Sequence, residues 1–147
     1  MADITSSVAE QPIQRSDDGL GRWVAKKITP VSDGVDATGT HNIITLPANS
    51  FVAGGWVVVT TAFTSTSNDG TVQFKVGSAT LGAAFTADGT ELAANDVIRL
   101  TANDFEDTAG SALYATSADT VDMVVATHAI TAGAFTIMLN IVELIQE

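Results

Sequence analysis

The sequence predicts an all-β fold: a two-sheet antiparallel β-sandwich of about eight strands, similar to a jelly roll, with an extended N-terminal arm. Short apolar runs alternate with clusters of Gly, Asn, Asp, Ser and Thr over most of the chain, which is typical of short strands joined by turns. Residues 135–141 also place a large apolar side chain at every second position. Because this period belongs to strands and not to helices, we expect a strand here, in a central position.

The chain divides into an arm, residues 1–22, and a sandwich domain, residues 23–147. The arm is polar, contains Ser, Asp and Gly clusters, and shows neither a helical nor a strand period. The remaining residues are enough for one domain with a core of its own.

Two prolines mark the ends of the first two predicted strands. Residues 23–29 precede Pro30, and residues 41–46 precede Pro47. Proline ends a strand readily because it has no N–H to donate to the ladder.

A long strand is predicted at residues 51–63, with a bulge or bend at Gly54-Gly55. The sequence Ser-Asn-Asp-Gly at residues 67–70 then predicts a hairpin turn, because Asn and Gly tolerate the positive φ of tight turns. Further predicted strands cover residues 80–85, 97–101, 112–116, 121–128 and 134–145, and a short helical turn is the alternative at 92–95 or 104–110.

The charge of the chain is unevenly distributed. Residues 1–27 hold four bases against four acids, whereas the rest holds two bases against thirteen acids and carries the whole net charge of −11. An acidic body repels phosphate backbones, so we expect no nucleic-acid partner. The simple interpretation of this acidic charge is a solvated surface. The alternative is that the basic patch from Arg15 to Lys27 binds a surface to which the acidic body cannot bind.

Several classes of protein are disfavoured by composition. The chain has no cysteine, which excludes disulfides and thiolate chemistry. No run approaches the roughly 18 apolar residues that span a bilayer, and residues 1–15 do not resemble a secretory signal. We therefore expect neither a membrane segment nor export.

We expect no enzyme activity and no cofactor. The two histidines, His41 and His128, have no nucleophile and orienting acid beside them in the sequence, so a structural or surface role is expected for both. No glycine-rich phosphate loop stands between a strand and a helix.

Two acidic loops are weak candidates for a Ca²⁺ site. One loop has three carboxylates within four positions, those of Asp104, Glu106 and Asp107. The other has two carboxylates that are further apart, those of Asp33 and Asp36. Ca²⁺ takes several such oxygens, but neither loop has the spacing of an EF-hand. Solvated loops are the expected outcome, and no metal is predicted.

The tryptophans suggest where a partner binds. Trp56, beside Gly55 and a run of valines, is predicted to lie in the core. Trp and Arg are enriched in interfaces. The predicted partner interface therefore consists of Arg15, Arg22, Trp23, Lys26 and Lys27. The largest candidates for a sugar-binding face are Trp23, Trp56 and Tyr114, although Trp56 is expected in the core.

An N-terminal arm and three segments carry a family resemblance. A polar arm, a strand ending in ITLPAN (residues 44–49), VQFKVGS (72–78) and a final GAFTIMLNIVELI (133–145) resemble the small jelly-roll structural proteins of tailed bacteriophages, most nearly their capsid decoration, or head-stabilising, proteins. The resemblance covers residues 42–144 in style and segment order.

The resemblance implies a virion protein, made in the host cytoplasm, that binds the outer surface of a phage head as a homotrimer. There it would stabilise the shell by bridging major capsid subunits. The alternative is a tail, neck or fibre component with a glycan-binding face. An enzyme and a cellular surface-layer or adhesin domain are the remaining alternatives.

Overall fold

The computed structural model describes residues 21–100 and 114–144 of the chain, which form a nearly all-strand structure. The elements are β1 (Arg22–Ile28), α1 (Pro30–Asp33), β2 (Gly39–Leu46), β3 (Ser50–Ser65), a 3-10 turn (Thr66–Asn68), β4 (Thr71–Val76), β5 (Ala79–Thr80), β6 (Phe85–Thr86), β7 (Val97–Leu100), β8 (Tyr114–Ala115), β9 (Asp119–Ala126) and β10 (Ile130–Glu143). Within these ranges no helix has the length and apolar content to cross a bilayer.

The strands form two antiparallel sheets, which confirms the predicted sandwich. Sheet A has the order β1-β10-β3-β7 with β8 beside β3, and sheet B has the order β2-β9-β4-β5 with β6 beside β4. If the short strands β6 and β8 are left out, eight strands remain. The first, β1, pairs with the last, β10; β2 pairs with β9, β3 with β7 and β4 with β5. A long antiparallel hairpin rolled into two sheets has this order, which is that of a jelly roll.

β10 is the central strand of sheet A, with β1 on one side and β3 on the other. Its inward side chains are Phe135, Ile137, Leu139 and Ile141, each at most 1% exposed. The predicted period of two and the central position are both confirmed. In sheet B, the inward Val72, Phe74 and Val76 of β4 are likewise buried.

Aromatic rings link the two sheets in the core. The ring centroid of Phe135 lies 5.5 Å from that of Phe63 on β3 and 5.6 Å from that of Phe74 on β4, the second pair edge to face. Gly133 allows this packing, because a Cβ there would lie 2.5 Å from the Phe63 ring. Such tilted ring pairs add about 0.5–1.5 kcal/mol beyond their buried area.

The predicted bulge in the long strand is present in β3. Asn140 pairs with Gly54 and Ile141 pairs with Val52, so Ala53 is the extra residue. Gly54 has a φ of +155°, which a residue with a side chain rarely adopts. The bulge therefore depends on glycine, and it leaves a position without a side chain on the outer face of the sheet.

The predicted hairpin at residues 67–70 is wrong. β3 belongs to sheet A and β4 to sheet B, so the segment carries the chain from one sheet to the other. The segment does have the positive φ of a tight turn, since φ is 62° at Ser67 and 56° at Asn68. The buried Ser65 Oγ accepts the Gly70 N–H at 2.8 Å and donates to the Ala87 carbonyl at 2.8 Å, which fixes the crossing.

Two other details differ from the predictions. The helical turn is α1, which has proline at its start, whereas residues 92–95 form non-helical turns. The predicted strand 80–85 is replaced by β5 and β6, two short strands that each pair with β4. The second possible helical turn, 104–110, lies outside the described residues.

Ile137→Asp is expected to lower the free energy of unfolding by roughly 3–5 kcal/mol or more, because it places an unpaired charge in the core. Thr136→Asp is the matched control, since Thr136 is the neighbouring outward residue and pairs with Lys27. Denaturant unfolding of both variants measures the difference. Equal stability of the two would contradict the central position of β10.

Candidate functional site: the outer face of sheet A

The register of sheet A aligns its outward residues in three rows. The rows are Trp23, Asn140 and Gly54; then Ala25, Met138, Trp56 and Arg99; then Lys27, Thr136, Val58 and Val97. Directly opposed residues of antiparallel strands lie on the same side of the sheet, so these side chains form one surface. We call this surface the Trp face.

The structure places Trp56 on this surface, and the predicted core position is wrong. Its side chain is 39% exposed, whereas Val57 and Val59 are buried. Because successive strand residues point to opposite faces, burial of the valines on either side of Val58 directs Trp56 outward. The apolar run concealed this alternation, since the outward Val58 is also apolar.

The Trp face exposes more apolar surface than the other sheet does. Trp23 is 57% exposed and Val97, at the opposite corner, is 60% exposed. Both tryptophans of the chain lie here. The corresponding face of sheet B instead carries polar rows such as Asn42, Asp122, Lys75 and Thr80. Exposed apolar area concentrated on one face is typical of an interaction site.

The Trp face also concentrates positive charge. Lys27 and Arg99 lie on it, although Arg99 is one of only two bases after residue 27. The Arg99 guanidinium carbon lies 5.9 Å from the centroid of the Trp56 ring, within the range of a cation–π contact. In the described part of the chain no carboxylate is paired with Arg99. The guanidinium is therefore available to an acidic partner.

A cleft of about 280 Å³ opens at one end of the Trp face. Trp23, Trp56, Gly54, Asn140 and Arg99 line it, together with neighbouring backbone. The cleft exists partly because Gly54 contributes no side chain. The Asn140 Oδ1 atom is buried and has no hydrogen-bond partner among residues 21–100 and 114–144. A Cβ at Gly21 would lie 1.9 Å from this oxygen, so the chain itself covers the atom and a ligand in the cleft does not reach it.

The residues of the predicted interface divide between two sides of β1. Trp23 and Lys27 lie on the Trp face, whereas Arg22 and Lys26 alternate to the other side. Lys26 Nζ donates a hydrogen bond of 2.8 Å to the Ile43 carbonyl of β2, so this ammonium group connects the open edges of the two sheets. Arg15 and the rest of residues 1–20 lie outside the described residues. The interface assignment stays a prediction.

His128 has an acidic neighbour that the sequence did not suggest. Its Nδ1 lies within hydrogen-bonding distance of Asp69 Oδ1, and the two residues are 59 positions apart. The contact joins the end of β9 to the turn between the sheets, and both side chains are largely exposed. His41 Nε2 lies 2.7 Å from the Ala37 carbonyl. The first contact joins two loops that are distant in sequence, and the second links β2 to the loop that precedes it.

The structure describes only one of the two acidic loops, that of Asp33 and Asp36. Asp33 accepts a hydrogen bond from the Thr29 N–H at 2.7 Å and thereby closes the turn of α1. Over the ranges that the structure describes, no group of three or more His, Asp and Glu side chains is arranged to hold a metal ion. The weak candidates Asp104, Glu106 and Asp107 lie outside those ranges.

No protein-family model matches the chain, and no curated protein matches it significantly. The fold is similar to a chain of the acidic stable capsid structure of Helicobacter pylori bacteriophage KHP30, with a TM-score of 0.54 and 11% identity over 83% of this chain and 86% of that chain. A chain of the capsid of Ralstonia phage GP4 aligns at 18% identity over 86% and 88%, with a TM-score of 0.41. At these identities the likeness to the KHP30 chain concerns the fold, and the weaker alignment adds nothing to it.

The local charge of the Trp face can be tested through its tryptophans. At low ionic strength, iodide should quench the Trp emission more than caesium does, although the protein carries a net charge of −11. Arg99→Gln should reduce quenching by iodide. Lys75→Gln is the matched control, because it removes the same charge from the outer face of sheet B. Stronger quenching by caesium would show that the field at the Trp face is negative.

Proposed function

We propose that this chain is a non-enzymatic structural protein of a phage virion. In this proposal it binds the outer surface of the head, bridges major capsid subunits and so stabilises the shell. The observation that carries the proposal is the Trp face: an apolar and basic surface on one side of an acidic jelly roll. The shared fold with a chain of a phage capsid structure supports it.

The chemistry of the Trp face suits docking to another protein. Trp and Arg are the residues most often found at the energetic centre of protein interfaces, where they lie within a polar rim. Here Trp23, Trp56 and Arg99 are close together, and the outer face of sheet B is polar. In the proposed arrangement the Trp face meets the shell, while the acidic remainder faces solvent and keeps particles apart.

The predicted arm adds a second attachment. A segment that orders only when it docks loses entropy on binding, but it can cover a large area of a neighbouring subunit. Many copies on a symmetric shell, associated as homotrimers in this proposal, make the attachment multivalent. β1 follows the arm directly, so a docked arm would hold sheet A near the shell.

A second candidate function is a tail, neck or fibre component that binds host glycans. The cleft between Trp23 and Trp56 favours it, because indole rings stack on sugar rings while Asn140 and Arg99 supply polar contacts. A glycan-array signal that disappears in the Trp23→Ala variant would support this candidate.

Deletion of residues 2–20 tests whether the arm anchors the protein to the head. We expect a soluble, folded protein that no longer sediments with the heads of the phage that encodes the chain, because the body loses one of its two proposed attachments. Thermal unfolding of the deleted protein is the control for folding. A deleted protein that still decorates heads at wild-type occupancy would show that the arm is not an anchor.

A further inference from the structure

The cleft lies between two tryptophans on strands that are not neighbours. Trp23 is on β1 and Trp56 is on β3, with β10 between them, so the two backbones are about 10 Å apart. Both side chains are exposed, Trp23 to 57% and Trp56 to 39%. A ligand in the cleft can therefore contact the indoles with apolar or planar groups.

One charged group at the cleft selects the chemistry of the partner. Arg99 donates only, and its fork of N–H groups matches a carboxylate. Asn140 also lines the cleft, but Gly21 covers its Oδ1 atom. A ligand that pairs with Arg99 therefore carries a carboxylate.

The extent of the Trp face favours a polypeptide over a small ligand. Exposed apolar residues lie on three strands of sheet A, Trp23 on β1, Trp56 on β3 and Val97 on β7, and the half-buried Met138 of β10 lies between them. A sugar ring in the cleft would leave Val97 uncovered. A second copy of the chain is disfavoured as the occupant, because two Trp faces would bring Lys27 and Arg99 together and each copy carries a net charge of −11.

We propose that the cleft binds an extended segment of the major capsid protein that carries an acidic side chain. The carboxylate pairs with Arg99, and apolar or planar groups of the segment contact the indoles of Trp23 and Trp56. This inference rests on the proposed head-binding function and identifies the chemistry of the docked segment.

The test uses overlapping 15-residue peptides that span the major capsid protein of the phage that encodes this chain. Each fluorescently labelled peptide is titrated with the full-length protein, and binding is followed by anisotropy. We expect the binding peptides to contain Asp or Glu and to shift the Trp emission to shorter wavelength. Replacing that acid by Asn or Gln should weaken binding at least about tenfold, as truncation of an interface hot spot does.

Variants of the protein complete the test. Arg99→Gln and Trp56→Ala should each weaken peptide binding at least about tenfold, whereas Lys75→Gln, an equal charge change on sheet B, should leave it unchanged. Far-UV circular dichroism of each variant confirms its fold. Phe at position 56 in a Trp56→Phe variant retains a flat ring and should bind more tightly than Trp56→Ala.

The outcomes distinguish this inference from the proposed function. Failure of every peptide to bind overturns the inference, even if the protein still decorates heads, in which case the head-binding proposal stands. Peptide binding that is equal in Arg99→Gln and wild type also overturns it. A sugar from a glycan array, or a second copy detected by sedimentation, that occupies the cleft in place of a peptide overturns it as well.

Discussion

The structure depends on the pairing of β10 with β1 and β3. Inward side chains of this strand, such as Phe135 and Ile137, are fully buried and hold the two sheets together. Its outward side chains, Met138 and Asn140, form the middle of the Trp face. Because the strand alternates, the same backbone ladder fixes both the core and the proposed binding surface. The backbone positions of the surface residues are therefore set by the same pairing as those of the core.

The two sheets differ in what they offer to solvent. Sheet B carries polar side chains outward, so it can remain hydrated at little cost. The Trp face holds both tryptophans and Arg99, and their exposure contributes little to folding. Large exposed apolar side chains beside a guanidinium that has no carboxylate partner among residues 21–100 and 114–144 are more easily explained by contacts with another molecule than by stability. This contrast is the physical basis of the proposed virion function.

Sequence periodicity predicted the sandwich because alternation is a local property, visible in residues 135–141. Trp56 was misplaced because apolar residues occupy both faces of β3, so composition no longer distinguished inside from outside. The crossing after Ser65 was misread as a hairpin, since turn residues specify a change of direction and not the sheet of the next strand. Arg99 and Trp23 are 76 positions apart in sequence. Only the strand order brings them to one surface.

The copy number of this protein in the particle tests the central claim most directly. Quantitative mass spectrometry of purified particles gives its ratio to the major capsid protein. A protein that binds the shell throughout its surface should be present at a ratio near one, because it occupies a site on each repeating unit. A ratio of a few per cent would place it in the tail, neck or fibre, and its absence from particles would contradict the virion function altogether.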